Sequence, residues 1–510
     1  MGQGGKSLWR AGGLKVARSS PIASTSNGID IVENIANRPT YTEPAKEISV
    51  LMETDVIVVG GGTTGPFAAI SAARQGKRVV MIERFGSLGG NMTLGLNTKP
   101  SGALLGGLPL EIWNLARQAG GAGDDYMALT KSGGVKIASP CDPEIMKILL
   151  TRLCVDAGVQ ILFETFVSAP LIDDGAIIGV IIESKSGRQL VRGKVVIDCS
   201  ADGDMAAKAG TPFVMGSGGT EEIMQPVSMY FTMTNVDLVR LAEWARTTDD
   251  VPARAIPDTV EGLDYSLWLT GFNKMLQKFQ ADSGIKLQRD NITLKTANGL
   301  MYVNGTRVLG VNIFSPVEFS GAIVECYRQI EGVAQFLRER VPGFEQAGIG
   351  QISPALGVRE TRHVQCEYTL TGEDALGGRA FEDSIAADAS ALDIHDPKGG
   401  DVDFRGMLPY EIPYRCLVPL GIEQLLIAGR AISADHTAHA RSRNMPACMA
   451  TGQAAGIAAA VAIDAGVTVR RVDVKKVQAV LRAISMPLHA DEIREESHQT
   501  AVSRRAVVPA

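Results

Sequence analysis

Short apolar runs alternate with helical stretches at both ends of this chain, which is the pattern of a buried parallel sheet covered by helices. Asp55-Val-Ile-Val-Val ending at Gly60 reads as a buried strand, and ordered structure is expected from near Glu47, where Ile48-Ser-Val-Leu-Met leads into it. A helix is predicted from about Thr64 to Gln75 with Gly76 as its C-cap, and Lys77-Arg-Val-Val-Met-Ile-Glu83 returns as a parallel strand. Farther on, Asp142-Pro143 opens a helix to about Ala157, Gly158 closes it, and Val159-Gln-Ile-Leu-Phe follows. The segments Ala176 to Glu183 and Gln189 to Asp198 predict an antiparallel meander that ends in a buried strand. From about 212 to 350 the alternation is lost: short strands mix with helices, one of them long and amphipathic from about Ala322 to Arg340. It resumes with Gln424-Leu-Leu-Ile-Ala-Gly429 and a helix from Pro446 to about Ala465. The predicted fold class is therefore α/β: a discontinuous Rossmann-like domain, with a parallel central sheet plus an antiparallel meander, and a second, mixed α+β cap domain. The partition runs 1–46 extension, 47–211 first domain, 212–350 cap, 351–470 first domain resumed, and 471–510 helical segment and tail.

The turn after the first strand is Gly60-Gly61-Gly62-Thr63-Thr64-Gly65, and Glu83 lies at the end of the second strand. In a dinucleotide-binding βαβ unit Gly60 allows the tight turn and Gly62 removes a side chain that would block a pyrophosphate. Gly65 lets the helix lie close to the strand, and the helix N-terminus supplies N–H groups. Glu83 follows Gly60 by twenty-three positions, where its carboxylate can accept from a ribose. A second glycine turn, Arg84 to Gly89-Gly90-Asn91, offers bare backbone to the remainder of a long dinucleotide. A chain that bound NAD alone would have no evident use for it.

Composition narrows the classes. The 510 residues are 45% hydrophobic and 21% charged, with net charge −6 and no basic stripe interleaved with aromatics, which argues against a nucleic-acid partner. Apolar stretches such as Ala454 to Ile463 are too short to cross a bilayer, so no membrane insertion is expected. Seven cysteines stand singly with no Cys-x-x-Cys pair, which excludes a redox-active disulfide of that type and an iron–sulfur ligand cluster. A reducing, cytoplasmic home is the simplest reading, and no metal site is expected. Lys6, Arg10, Lys15 and Arg18 precede the first acid, Asp30, so the N-terminal segment reads either as a plain extension or as a transit peptide to an organelle matrix.

The second half carries further chemistry. A core strand ends in Gly429-Arg430, and Pro446 suits the first turn of a helix whose free N–H groups, around Ala447, Cys448 and Met449, can stabilise negative charge on the N1 and C2 carbonyl edge of a reduced flavin. An ordinary Ala-rich core helix has the same composition. Cys448 would have a depressed pKa if exposed to such a pocket, although a small packed residue fits it as well.

With Thr54 to Gly65 and Glu83, Leu88 to Asn91, Val195 to Asp204, Leu356 to Arg362, Ile412 to Pro419 and Ile427 to Gly456 in view, the chain resembles the FAD-dependent oxidoreductases of the glutathione-reductase-like flavoprotein group. Ser200-Ala201-Asp202-Gly203-Asp204 is similar to the family's Thr-Gly-Asp-Gly-Asp, with Ser and Ala in place of Thr and Gly. The resemblance implies FAD on Gly60, Gly62, Thr63, Thr64, Gly65, Glu83 and Arg84, then on Gly89, Gly90 and Asn91. Ser200, Ala201 and Asp202, Gly429 and Arg430, and Ala447 to Met449 complete the expected bed. No second glycine fingerprint is present, so a small organic substrate is expected to reduce the flavin by hydride transfer. Oxygen, a quinone or a protein would then be the acceptor, and the chain is also compatible with a homo-oligomer. The alternatives are a flavin monooxygenase and an electron-transfer subunit. Candidate catalytic groups are His436, as a base or as a histidine bonded near the cofactor, with Arg359, Arg415 and Tyr414; Arg362, His363, His439 and Arg443 lie in the same segments.

Overall fold

The computed structural model describes residues 41–493, apart from positions 103, 105, 131, 132, 138, 139, 218–223, 400, 401 and 406. The expected basic extension and the end of the tail lie outside the described residues. The chain divides into Met1–Glu47 and Ile48–Ala510; the described part of the first, 41–47, has no regular structure.

In Ile48–Ala510 the strand Ser49–Val59 is central because Val56 to Val59 are buried on both faces. It pairs in parallel with Val79–Ile82 on one side and with Gly187–Asp198 on the other, and Gln160–Leu162 extends the sheet beyond Val79–Ile82. The free edge of Gly187–Asp198 is shared. Its first part pairs antiparallel with Ala176–Ser184, which pairs with Phe166–Asp173; its last part pairs in parallel with Leu425–Ile427. The meander and the discontinuous parallel sheet are thus one sheet.

Two helices lie together on this sheet, Gly65–Arg74 and Met445–Ala465. A side chain at Gly452 would place its Cβ 2.5 Å from the Thr64 carbonyl oxygen, and one at Gly456 2.2 Å from that of Ala68, so glycines bring the two backbones into contact. Met445–Ala465 corrects one expectation. It is long and apolar enough to cross a membrane, but 89% of its apolar window is buried inside the protein, where it forms the core.

A second, antiparallel sheet of eight strands holds the middle of the chain, ordered Gly348–Ile352, Phe231–Thr234, Leu300–Asn304, Ile292–Ala297, Trp268–Gly271, Ala253–Ala255, Tyr126–Thr130 and Gly133–Ile137. Its last hairpin comes from a region assigned by pattern to the first domain. The long helix is Pro316–Arg340, begun earlier than expected by a Ser315 cap that accepts from the Glu318 N–H. Buried Cys326, Ile330, Val333, Phe336 and Leu337 pack it against a core that includes Leu267, Leu269, Ile292 and Leu294. The alternate residues Trp268, Thr270, Thr293 and Lys295 face the other way, into a cavity.

Candidate active site

The cavity has a volume of about 1180 Å³ and is walled by the glycine turns of the first sheet and by that face of the second. At the first end, Gly60 takes φ +97°, and a Cβ there would meet the Cys199 carbonyl oxygen at 2.6 Å. A Cβ on Gly65 would lie 1.9 Å from the Gly60 carbonyl oxygen, so the helix is seated directly on the turn. At Gly62 the same construction meets only Gly90 Cα, at 4.0 Å, which leaves open space beside the backbone. The second glycine turn docks on the first: Gly89 N–H donates to Gly61 O at 2.9 Å and Thr63 Oγ1 to Gly89 O at 3.1 Å. Glu83 accepts from Gly61 N–H at 2.6 Å and from Phe85 N–H at 2.8 Å. Its burial raises the carboxyl pKa, and these two N–H groups oppose the shift.

Asp202 closes this end. Its Oδ1 accepts from Arg430 at 2.6 Å and from Thr361 Oγ1 at 2.9 Å, while Arg362 binds the Asp202 carbonyl and Asp204 Oδ1, both at 2.9 Å. Ala201 holds φ +74°, the conformation that the family's glycine would adopt without strain. Arg430 Nε and Arg443 Nε line the cavity region as buried donors with no hydrogen-bond partner.

Of the expected cofactor residues, Gly60, Gly62, Thr63, Thr64, Glu83, Arg84, Gly90, Asn91, Ser200, Ala201, Asp202, Arg430 and Cys448 line the cavity. Gly65, Gly89 and Gly429 lie behind it as packing positions, Gly429 with φ +85° against Thr64. Ala447 and Met449 are turned into the core, and it is Asn444, Met445 and Cys448 that present the helix end to the cavity. Burial pushes the Cys448 thiol up to about 12, opposite to the depressed value expected of an exposed one; its Sγ donates to the Arg443 carbonyl at 3.3 Å.

The catalytic candidates separate. Arg359 lines the cavity. Tyr414 does not: it is buried, and its hydroxyl donates to Val469 O at 2.7 Å. Arg415 forms a two-pronged pair with Asp383, at 2.9 and 3.1 Å, on a partly exposed surface away from the cavity lining. His436 is also absent from the lining. Its Nδ1 lies 2.7 Å from Glu360 Oε1 and must donate to this carboxylate, which leaves no free lone pair at Nδ1; the same contact raises the imidazole pKa while burial opposes the shift. These three placements correct the sequence reading, because a short segment does not reveal which of its faces turns inward.

Glu360 is fully buried and also receives His363 Nε2 at 3.1 Å, while His439 Nδ1 stands 3.8 Å away. His363 Nδ1 must donate to the Ala434 carbonyl at 2.8 Å, because a carbonyl can only accept. The histidines depress the Glu360 carboxyl far below its ordinary range despite burial. Glu360, His363 and His439 offer ligand atoms within 4.8 Å of one another, a grouping that contrasts with the expectation of no metal site. The distances to His363 and His436 describe a hydrogen-bonded cluster around Glu360.

The second half of the lining was not foreseen. Asn97, Lys99, Tyr230, Trp268, Arg289, Lys295, Asn304, Asp393 and His395 line the cavity, along with Arg443, which lies in one of the segments singled out from the sequence. His395 Nε2 lies 3.2 Å from Asp393 Oδ1, and Arg443 donates to Asp393 Oδ2 at 3.0 Å. Burial, with Arg359 nearby, lowers the His395 pKa to about 4, so its imidazole is neutral at pH 7. The available signal was the alternation Ile292-Thr-Leu-Lys-Thr, which puts a lysine on one face of a strand with an apolar opposite face.

Comparison with known proteins adds the family. Among curated relatives, the chain is 33% identical over 88 residues to an iron-sulfur component of a CoB–CoM heterodisulfide reductase from Methanopyrus kandleri, covering 17% of this chain and 13% of that one. It is 30% identical over 159 residues to a digeranylgeranylglycerophospholipid reductase of the same organism, covering 30% and 38%. The chain therefore spans well under half the length of either relative. A geranylgeranyl bacteriochlorophyll reductase-like structure from Thermoplasma acidophilum aligns with 14% identity over 85% of this chain and 83% of that one, with a TM-score of 0.43. The family model described as FAD dependent oxidoreductase matches residues 55–481. The open backbone at Gly62, the docked second glycine turn, buried Glu83 and the orphaned Nε of Arg430 fit such a cofactor. The chain belongs to the FAD-dependent oxidoreductase family.

Proposed function

We propose that this FAD-dependent oxidoreductase oxidises a small organic substrate held against the second sheet, with His395 accepting the substrate's proton. When bound, FAD supplies the acceptor for the hydride. The observation that carries this reading is the single cavity, with a backbone bed for a dinucleotide at one end and a side-chain-lined chamber at the other. The lack of a second glycine fingerprint supports the substrate, rather than a nicotinamide, as electron donor. His395 replaces His436 as the candidate base because it lines the chamber, is neutral at pH 7, and is oriented by Asp393, which Arg443 fixes in turn.

The purified protein should absorb near 450 nm, and anaerobic mixing with a panel of hydroxy acids, sugars, polyols and amines should bleach that band for at least one member. Reduction by NADPH alone would overturn the reading. With a bleaching substrate in hand, His395→Gln should slow flavin reduction by about a hundredfold or more while leaving FAD content unchanged. An unchanged rate would remove His395 from the role.

A further inference from the structure

Among the described residues, the buried Lys99, Arg289 and Lys295 and the half-buried Arg359 line the chamber and make no hydrogen bond or ion pair to a carboxylate. Lys295 Nζ donates to Asn97 Oδ1 at 2.8 Å, and Arg289 to Asn304 Oδ1 at 2.6 Å and Asn291 Oδ1 at 3.1 Å. Arg359 donates to the Pro226 carbonyl at 2.5 Å, and Lys99 Nζ stands 4.4 Å from the centre of the Trp268 ring. Every one of these acceptors is neutral. Asp393, a half-buried acid, attracts Lys99, Arg289 and Arg359 at a distance but is already bound by Arg443 and His395, so one carboxylate serves several cations; Asp202 is taken by Arg430 and Asp290 is exposed.

Burying an unpaired cation is costly, and an apolar side chain of similar volume would serve the architecture better. The cost shows in the ionisation of the group: burial draws Lys99 down to about 7 against the attraction of Asp393, and burial together with repulsion from Lys99 draws Lys295 well below its ordinary value. The backbone enforces the arrangement. Lys295 is directly opposite Trp268 in the sheet register, and Ile292 and Leu294 anchor the other face, so the ammonium cannot turn away to solvent.

We propose that this chamber binds an organic anion, a carboxylate or a phosphate ester, through Lys99, Lys295, Arg289 and Arg359. This rests on the reading that the substrate occupies the second-sheet end of the cavity. The anion supplies the missing countercharge, and the two guanidinium groups offer forks that match a carboxylate or phosphate edge.

The test uses the full-length, FAD-loaded protein and measures binding without turnover, by calorimetric titration and by perturbation of the flavin spectrum. The probes are malonate and succinate against their diamides, and glycerol 2-phosphate against glycerol. At least one acid should bind, with its neutral counterpart more than a hundredfold weaker, and the two pairs tell carboxylate from phosphate. Lys295→Met and Lys99→Met should each weaken that acid tenfold or more without lowering the melting temperature of the ligand-free protein, and Lys295→Arg should restore binding. Failure of every acid to bind, equal binding of acid and amide, or unchanged acid affinity in both methionine variants would overturn the proposal. So would loss of FAD from those variants with unchanged acid affinity per flavin, because the cations would then belong to the cofactor. The amide comparison needs no variant to fold. Charge-dependent binding of acids that never bleach the flavin would uphold the anion site and count against hydride donation. Bleaching by neutral polyols with no acid bound would do the reverse.

Discussion

The two ends of the cavity recognise ligands by different means. At the glycine end the contacts are mainly backbone: turns at Gly60 to Gly65 and Gly89 to Asn91 touch each other, Glu83 is spent on the N–H groups of Gly61 and Phe85, and Asp202 on Arg430 and Thr361. At the second-sheet end the backbone is locked in a ladder, and side chains such as Lys295 and Arg289 do the facing. Backbone recognition suits a cofactor whose shape never changes. A side-chain-lined chamber can be altered one residue at a time without disturbing that cofactor.

The largest expected effect would break this contrast at its root. A Cβ on Gly65 would lie 1.9 Å from the Gly60 carbonyl oxygen, and because Cβ has no rotamer, helix and turn must separate. Gly65→Ala should cost more than about 5 kcal/mol, the exceptional end of single substitutions, and yield protein with almost no 450 nm absorbance. Full FAD content in this variant would show that the turn is not the rigid bed described above.

Next in size is the segment that joins the two ends. Residues 356–364 bridge Ser228 through Gly357, place Arg359 in the chamber, and reach Asp202 through Thr361 and Arg362; Glu360 pins that segment to the histidines. Glu360→Gln should destabilise by about 3 kcal/mol, since it leaves buried histidines without their carboxylate. The pH dependence has a defined sign. His436 has a raised pKa, so its contribution is complete below its unfolded value of 6.5 and is lost as pH rises through the folded value. Glu360 has a depressed pKa, so its contribution is present above 4.5 and is lost only as pH falls through a far lower value. Both are present between 4.5 and 6.5. Denaturant unfolding should therefore show the wild type losing stability relative to Glu360→Gln above that window, whereas the lowered pKa values of Lys99 and Lys295 give both proteins the same slope of opposite sign. A difference between the two proteins that does not change with pH would mean the cluster does not couple the two ends through charge.

The same contrast explains what could be read from the residues alone. The glycine end is local: strand, turn, helix and acid fall within about thirty residues, and each glycine has a steric reason visible in its spacing. The helix at Pro446 is equally visible, although its register is not, so the sequence points to Ala447 and Met449 where Asn444 and Met445 face the cavity. The chamber draws on positions from 97 to 443, brought together by antiparallel pairing that no short window encodes. His436 illustrates the cost of that gap. It stands in the right segment, but Glu360, seventy-six positions away, claims its Nδ1, while His395 lies on a short hairpin strand with little pattern to announce it.

The smallest effect sharpens the account of the backbone end. Ala201 keeps φ +74° where the family pattern has glycine, so the turn that presents Asp202 to Arg430 imposes this conformation on a residue that resists it. An L-residue in this region is strained by about 1–2 kcal/mol. Glycine would relieve the strain but adds about 0.4–1 kcal/mol of unfolded-chain entropy to be lost on folding. Ala201→Gly should therefore stabilise the protein by about 0.5–1 kcal/mol, raising its melting temperature by a degree or two in a chain of this size, with FAD content unchanged. A lower melting temperature would show that the Ala201 methyl group, which lines the cavity, contributes packing that outweighs the strain. This part of the bed would then be read through a side chain, and the division between a backbone-held end and a side-chain-held end would be less complete than the glycines suggest.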